Sequence, residues 1–128
     1  MEVHTIHELV SLAKNVIVEV DVNCVEKITQ NESQFIIDVR EPEEFSLGHI
    51  KGAINVPRGV LEFRADPSYP GGIPNLYDKT AKITLYCRSG ARSALAAQSL
   101  MQLGYKATTS MAGGFLAWQA AGLPVSIE

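Results

Sequence analysis

The chain has 128 residues, of which 46% are apolar and 20% charged, a globular composition far from the charge-rich, apolar-poor signature of disorder. Eleven basic and fourteen acidic residues leave a formal charge of −3, which argues against a protein that holds nucleic acid by neutralising phosphates. Two cysteines, Cys24 and Cys87, and three scattered histidines form no CxxC pair and no HExxH spacing, so neither a disulfide framework nor a metal site is expected.

The N-terminal stretch Met1–Val10 lacks a basic start followed by an apolar run, and no segment approaches the roughly 20 apolar residues of a membrane span. A cytoplasmic protein without a membrane partner is expected, its thiols reduced. Ile6–Ala13 reads as a first helix, ahead of the β-rich run Val16–Val20. Asn23 is placed to cap a second helix through Ile28. Within it Cys24 keeps the company of Val22, Val25 and Ile28, with no basic cluster beside it, and is expected in the core.

The run Phe35–Val39 predicts a second strand. Pro42 in a first turn and Gly48 as a stop frame a helix after Glu41. Ala53–Val56 predicts a third strand and Arg58–Arg64 a further helix. Asp66–Pro74 is a Pro/Gly-rich loop, readable equally as part of a site or as plain connection. Ile83–Tyr86 predicts the fourth strand, and Ala91–Leu103, closed by Gly104, the clearest helix. Ala94, Ala96 and Ala97 let it sit close on a sheet. A weaker run, Ala107–Met111, supplies a fifth strand, and Phe115–Ala121, ended by Gly122, the last helix. Phe115 and Trp118, three residues apart, share a core-facing side. Strands alternating with helices at this spacing predict an α/β protein: a parallel sheet with helices on both faces. A single domain over residues 1–128 is expected.

The chemistry gathers at Cys87-Arg88-Ser89-Gly90-Ala91-Arg92-Ser93, where a strand ends and the clearest helix begins. In open α/β sheets that edge is where ligands bind. A tight turn there aims backbone N–H groups inward as an anion nest, and the helix start adds positive charge. Gly90 permits a left-handed turn. Arg88 and Arg92 give the segment two positive charges and no acid from Cys87 to Ser93. Thiolate chemistry on an anionic substrate follows as the expectation.

Asp38-Val39-Arg40 ends the second strand and Arg58 follows the third, so both arginines are expected at the same edge as Cys87. Arg40, with Glu41, Glu43 and Glu44 in reach, reads as a surface ion-pair residue; Arg58 and Arg64 stay open as anion ligands. His49, in the turn Gly48–Gly52, suits a structural hydrogen bond better than the role of base to Cys87. Gly113 and Gly114 allow a close approach between the last strand-to-helix turn and the neighbouring loop.

The chain resembles the single-domain rhodaneses, the sulfurtransferase family. The motifs that carry the resemblance are Ile37-Asp-Val-Arg-Glu-Pro-Glu-Glu-Phe45, Gly48-His-Ile-Lys-Gly-Ala-Ile-Asn-Val-Pro57, the Cys87–Ser93 loop, and Ala112-Gly-Gly-Phe-Leu-Ala-Trp118 with Gly122-Leu-Pro124, across about residues 34 to 126. The resemblance implies a five-stranded parallel sheet of order 1-5-4-2-3 with helices on both faces, over a motif-bearing core of about 16–126. The first helix is an addition. It implies that Cys87 takes the outer sulfur of thiosulfate or a persulfide and passes it, as a persulfide, to a thiol or cyanide. The acceptor thiol belongs to a small molecule or a protein, and no cofactor is implied. On this pattern the loop amides of Ser89, Gly90, Ala91 and Ser93 stabilise the persulfide, Arg88 and Arg92 hold the anionic donor, and Asp38, Arg40 and His49 support the loop. Two alternatives remain: a sulfur-carrier or redox-sensing module without turnover, and a phosphatase or arsenate reductase of the same fold. The second uses an arginine six positions after its cysteine, whereas Arg92 lies five after Cys87.

Overall fold

A computed structural model describes every residue from Met1 to Glu128. Its first helix, α1 (Ile6–Val16), is closed at the N-terminus by a capping box: the Thr5 hydroxyl accepts from the Glu8 amide at 3.1 Å and the Glu8 carboxylate accepts from the Thr5 amide at 2.9 Å. Such a cap contributes about 1 kcal/mol. After β1 (Val18–Val20), α2 (Val22–Ile28) is capped two residues earlier than expected, because Asp21 and not Asn23 accepts from the Cys24 amide, at 2.9 Å. Asp21 stands in the extended conformation a cap requires, whereas Asn23 already lies inside the helix. Cys24 is exposed, contrary to the core position expected; Val25 takes the inward position and is fully buried.

The remaining elements are β2 (Phe35–Asp38), α3 (Pro42–Leu47), β3 (Ile54–Asn55), a 3-10 turn (Arg58–Val60) running into α4 (Leu61–Ala65), a second 3-10 turn (Pro74–Leu76), β4 (Ile83–Tyr86), α5 (Ala91–Gln102), β5 (Thr108–Met111) and α6 (Gly114–Ala120). The five strands form one parallel sheet in the order β1-β5-β4-β2-β3. No helix is long and apolar enough to cross a membrane.

Side chains alternate across the sheet, so neighbours in sequence enter different cores. Ile37, Leu85 and Cys87 join Leu61, Ala96, Ala97 and Leu100 under α4 and α5. Ile36 and Tyr86 join Val25, Met111, Phe115 and Trp118 under α2 and α6. The same alternation turns Cys87 toward α5. The register sets Asp38 beside Tyr86, so the chain leaving β2 toward Arg40 and the chain leaving β4 through Cys87 emerge together at one edge.

The Asp66–Pro74 loop is tied down at the other end of α5. The Tyr105 hydroxyl donates to the carbonyls of Ala65 and Leu76, at 2.6 and 2.7 Å, on either side of the loop. Lys79 bridges Asp66 and the Leu103 carbonyl, both at 2.6 Å. The loop is thus anchored about 18 Å, the length of a helix of twelve residues at 1.5 Å each, from the amino end of α5 where Cys87 sits.

Candidate active site

Cys87 is the residue after β4 and is 1% exposed, flanked outward by the exposed Arg88 and Ser89. The chain then turns through Gly90, whose φ of 103° is left-handed, a conformation a side chain disfavours. This turn aims the Gly90 and Ser93 amides back at the sulfur, donating to Sγ at 3.1 and 3.4 Å.

What holds those amides inward is a second helix. The loop carbonyls of Cys87 and Arg88 accept from the amides of Phe115 and Leu116, at 2.8 and 3.0 Å, in the first turn of α6. With its carbonyls committed to α6, the loop presents N–H groups to the sulfur. The close approach depends on Gly114, whose φ is 60°: a Cβ there would lie 2.5 Å from the Arg88 backbone and 2.6 Å from the Cys87 carbonyl. The glycine pair in the sequence signals this approach, but the donation by Phe115 and Leu116 has no signature in residue type.

Behind the sulfur lies a hydroxyl chain absent from the sequence reading. Sγ and the Ser93 hydroxyl are 3.5 Å apart, and Ser110 on β5 donates to Ser93 Oγ at 2.8 Å. Both serines are fully buried. With its oxygen occupied by Ser110, the Ser93 hydroxyl has its own proton free for a negative sulfur. A serine in a strand offers no pattern by which this role is found.

The charged side chains pair differently from the expectation. Arg40 is 5% exposed and bound to the fully buried Asp38, with guanidinium-to-carboxylate distances of 2.7 to 3.0 Å, and it also donates to the Gly48 carbonyl at 2.7 Å. Its guanidinium lies 4.5 Å from the centre of the Phe115 ring. It is a buried strut, not a surface ion-pair residue. Burial disfavours its charge, yet the Asp38 carboxylate outweighs that and holds its pKa above the usual value. Asn55 ties the same turn, donating to the carbonyls of Asp38 and Arg40 at 3.0 and 2.9 Å.

Glu44, read as a partner of Arg40, belongs to Arg92 instead: its two oxygens receive both terminal guanidinium nitrogens at 2.8 and 3.0 Å. The Arg92 hydrogen bonds draw the Glu44 pKa down to about 2, so the carboxylate is charged at any working pH. Arg92 is therefore compensated, and Arg88, which forms no ion pair, carries the uncompensated charge at the loop. Arg40, Glu44, Leu47, Gly48, Arg88, Phe115, Leu116 and Gln119 line a cleft of about 280 Å³ over this edge.

His49 is 2% exposed, with Nδ1 2.8 Å from the Phe45 carbonyl and Nε2 3.2 Å from that of Glu128. Its ring stacks on Phe45 at 3.7 Å, and its backbone pairs with Ser126. Both ring nitrogens are thus engaged away from Cys87. Arg58 does reach the carboxyl edge, its amide donating to the Val39 carbonyl at 3.0 Å, but its guanidinium is held by Glu62 at 3.1 Å. Arg64 is exposed in the last turn of α4, beside Ala65 and the Tyr105 anchor. The structure brings Asp38, Arg40, Arg88 and Arg92 together around Cys87 and leaves Arg64 outside.

A buried cysteine receiving two main-chain amides, at the carboxyl edge of a five-stranded parallel sheet, stands where open α/β sheets bind ligands. Residues 21–121 match the model of the rhodanese-like domain, and the chain belongs to that family. A chloroplastic thiosulfate sulfurtransferase of Arabidopsis thaliana is 38% identical over 91 residues, 69% of this chain and 76% of the relative. A sulfurtransferase of Allochromatium vinosum is 34% identical over 100 residues, 78% of this chain and 85% of the relative. Among solved structures, a Rhodopseudomonas palustris protein of unknown function, described as a possible tyrosine phosphatase, superposes with a TM-score of 0.88 at 31% identity, covering 98% of this chain and 97% of that one. A rhodanese-related protein of Thermoplasma volcanium gives 0.71 at 27% identity, over 87% and 99% of the two chains.

Proposed function

We propose that this protein is a sulfurtransferase in which Cys87 carries the sulfur as a persulfide. The observation that supports the reading most is the pair of amides, Gly90 and Ser93, aimed at Sγ from a loop whose carbonyls are committed elsewhere. Such fixed dipoles stabilise negative charge on the sulfur at no reorganisation cost, as an oxyanion hole does for oxygen.

The Cys87 thiolate attacks the outer sulfur of a sulfane donor. With thiosulfate, the S–S bond of the donor breaks and sulfite leaves with the electron pair, while the new Sγ–S bond gives a perthiolate. A thiol or cyanide then attacks the outer sulfur of Cys87, and the cysteine thiolate leaves. Arg88 attracts the anionic donor; Asp38, Arg40 and His49 hold the surrounding turns. Sulfurtransferase relatives from a plant and a bacterium favour this reading.

The description of the Rhodopseudomonas palustris protein favours a phosphatase as the second reading. Against it, Asp38 and Glu44 are both engaged by arginines, so neither stands ready as the acid for a leaving group. Cyanide-dependent thiocyanate formation by the native protein, lost in Cys87→Ser, is the expected result. Aryl phosphate hydrolysis dependent on Cys87, without sulfur transfer, overturns it.

A further inference from the structure

A cavity of about 490 Å³, larger than the cleft at the cysteine edge, opens on the face of the sheet that carries α2 and α6. Those helices have seven residues each, about 10 Å at 1.5 Å per residue. The turn after Gly48 and the chain beyond α6 wall the space they leave without filling it. Ile50, Trp118 and Pro124 form the apolar side of the cavity, and Ile50 and Trp118 belong to the core beneath. A space of this size with an apolar side and a few polar groups is what small organic ligands occupy. No residue of the Cys87–Ser93 loop lines it.

Three charged side chains share the cavity: Glu26, Glu32 and Lys51. None of them belongs to any ion pair of the chain, although both signs of charge border the same space. A ligand of one sign leaves part of this set unmatched. An anion meets two carboxylates, and a cation meets the lysine. A zwitterion matches both. Because Lys51 does not reach either carboxylate, the charges of the ligand must be separated as well. The termini of an extended dipeptide, about 7 Å apart, meet that requirement better than the two ends of a single amino acid.

We propose that this cavity binds short peptides with free termini. The peptide ammonium lies toward Glu26 and Glu32, the carboxylate toward Lys51, and an apolar side chain against Trp118 and Pro124. Binding is non-covalent and makes no use of Cys87, so the proposal stands apart from sulfur transfer.

Trp118 is the only tryptophan of the chain, and its indole N–H donates to the Pro124 carbonyl at 2.8 Å. A single indole resonance therefore reports from the cavity wall. Leucyl-leucine, N-acetyl-leucyl-leucine and leucyl-leucine amide are titrated into the isotope-labelled full chain and followed by NMR. Leucyl-leucine is expected to shift the indole resonance saturably, and acetylation or amidation to weaken binding by about fivefold each, the scale of an exposed ion pair. Lys51→Met is expected to bind the amide as well as the free acid. The double variant Glu26→Gln, Glu32→Gln is expected to bind the acetylated peptide as well as the free amine. All three positions lie at the surface or partly so, and Cys87→Ser is expected to bind leucyl-leucine as the native protein does. An indole resonance that does not shift saturably, equal binding of the three peptides, or variants that still discriminate between them overturns the proposal. None of these results touches the sulfurtransferase reading, which fails separately if thiocyanate formation does not depend on Cys87.

Discussion

Glu44 grips Arg92 through both terminal guanidinium nitrogens, at 2.8 and 3.0 Å, across 48 positions of sequence. The pair spans α3 and the first turn of α5, and it converts an arginine of the cysteine loop from a free anion ligand into a compensated one. Glu44→Gln releases that charge. The KM for thiosulfate is expected to fall about threefold to tenfold, since one negative charge leaves the cleft. Steady-state kinetics with thiosulfate and cyanide measures it. A rise in KM would make the contact a positioning device for Arg92.

The same pair has an acid signature. The Glu44 pKa lies near 2 in the folded chain against an ordinary 4.5. A depressed acid stabilises the fold above its unfolded value, and that contribution fades as pH falls from about 4.5 toward 2. In denaturant titrations across this window, the native protein is expected to lose its advantage over Glu44→Gln. A difference between the two that is independent of pH contradicts the linkage.

Ser110 has no contact with solvent and reaches Cys87 only through Ser93. Ser110→Ala leaves the Ser93 hydroxyl free to rotate away from the sulfur. The expected result is a kcat lowered about threefold to tenfold with KM little changed, as for a group that acts on the nucleophile and not on donor binding. Stability should fall by about 1 kcal/mol, the scale of one buried hydrogen bond. A stability loss with unaltered kcat makes the serine pair structural.

Gly114→Ala places a methyl 2.5 Å from the Arg88 backbone at a left-handed position. Either the cysteine loop or α6 must shift, at a cost of about 2–4 kcal/mol from overpacking and backbone strain together. Chemical denaturation measures this. Where the variant still folds, thiocyanate formation is expected to fall more than tenfold, because the Gly90 and Ser93 amides lose their aim. The cost of misplacing a reacting group by about 1 Å is on the order of 10²-fold.

Asp38→Asn strips the buried Arg40 of its counter-charge. Breaking such a pair costs about 3–5 kcal/mol, so a drop in melting temperature is expected, large beside that of Glu44→Gln at the partly exposed pair. Comparable small losses in both variants contradict the distinction between a buried strut and a surface fork.

The strands and the clearest helix were legible because Ile83–Tyr86 and Ala91–Gln102 agree in propensity, pattern and stop signals. The 1-5-4-2-3 order came from the family resemblance, and the structure has it. Side-chain partners were less legible. Arg40 stands close in sequence to three glutamates, and proximity suggested a surface pair; the strand end instead folds its guanidinium back onto Asp38, two residues away. Glu44 then turns to a residue that only the fold brings near. Cys24 failed for a related reason: in a helix of seven residues one position decides which side faces the core, and a cap at Asp21 gives Val25 that place. The hydroxyl chain from Ser110 was invisible because a buried serine in a strand looks like any other small residue.

Because Cys24 is exposed and Cys87 buried, the location of a transferred sulfur is decisive. The intact protein is incubated with a sulfane donor, its mass is recorded, and the modified peptide is sequenced. One added sulfur on Cys87, absent from Cys87→Ser and removed by cyanide as thiocyanate, is the expected result. An unmodified Cys87, or sulfur found on Cys24 alone, contradicts the assignment of Cys87 as the carrier.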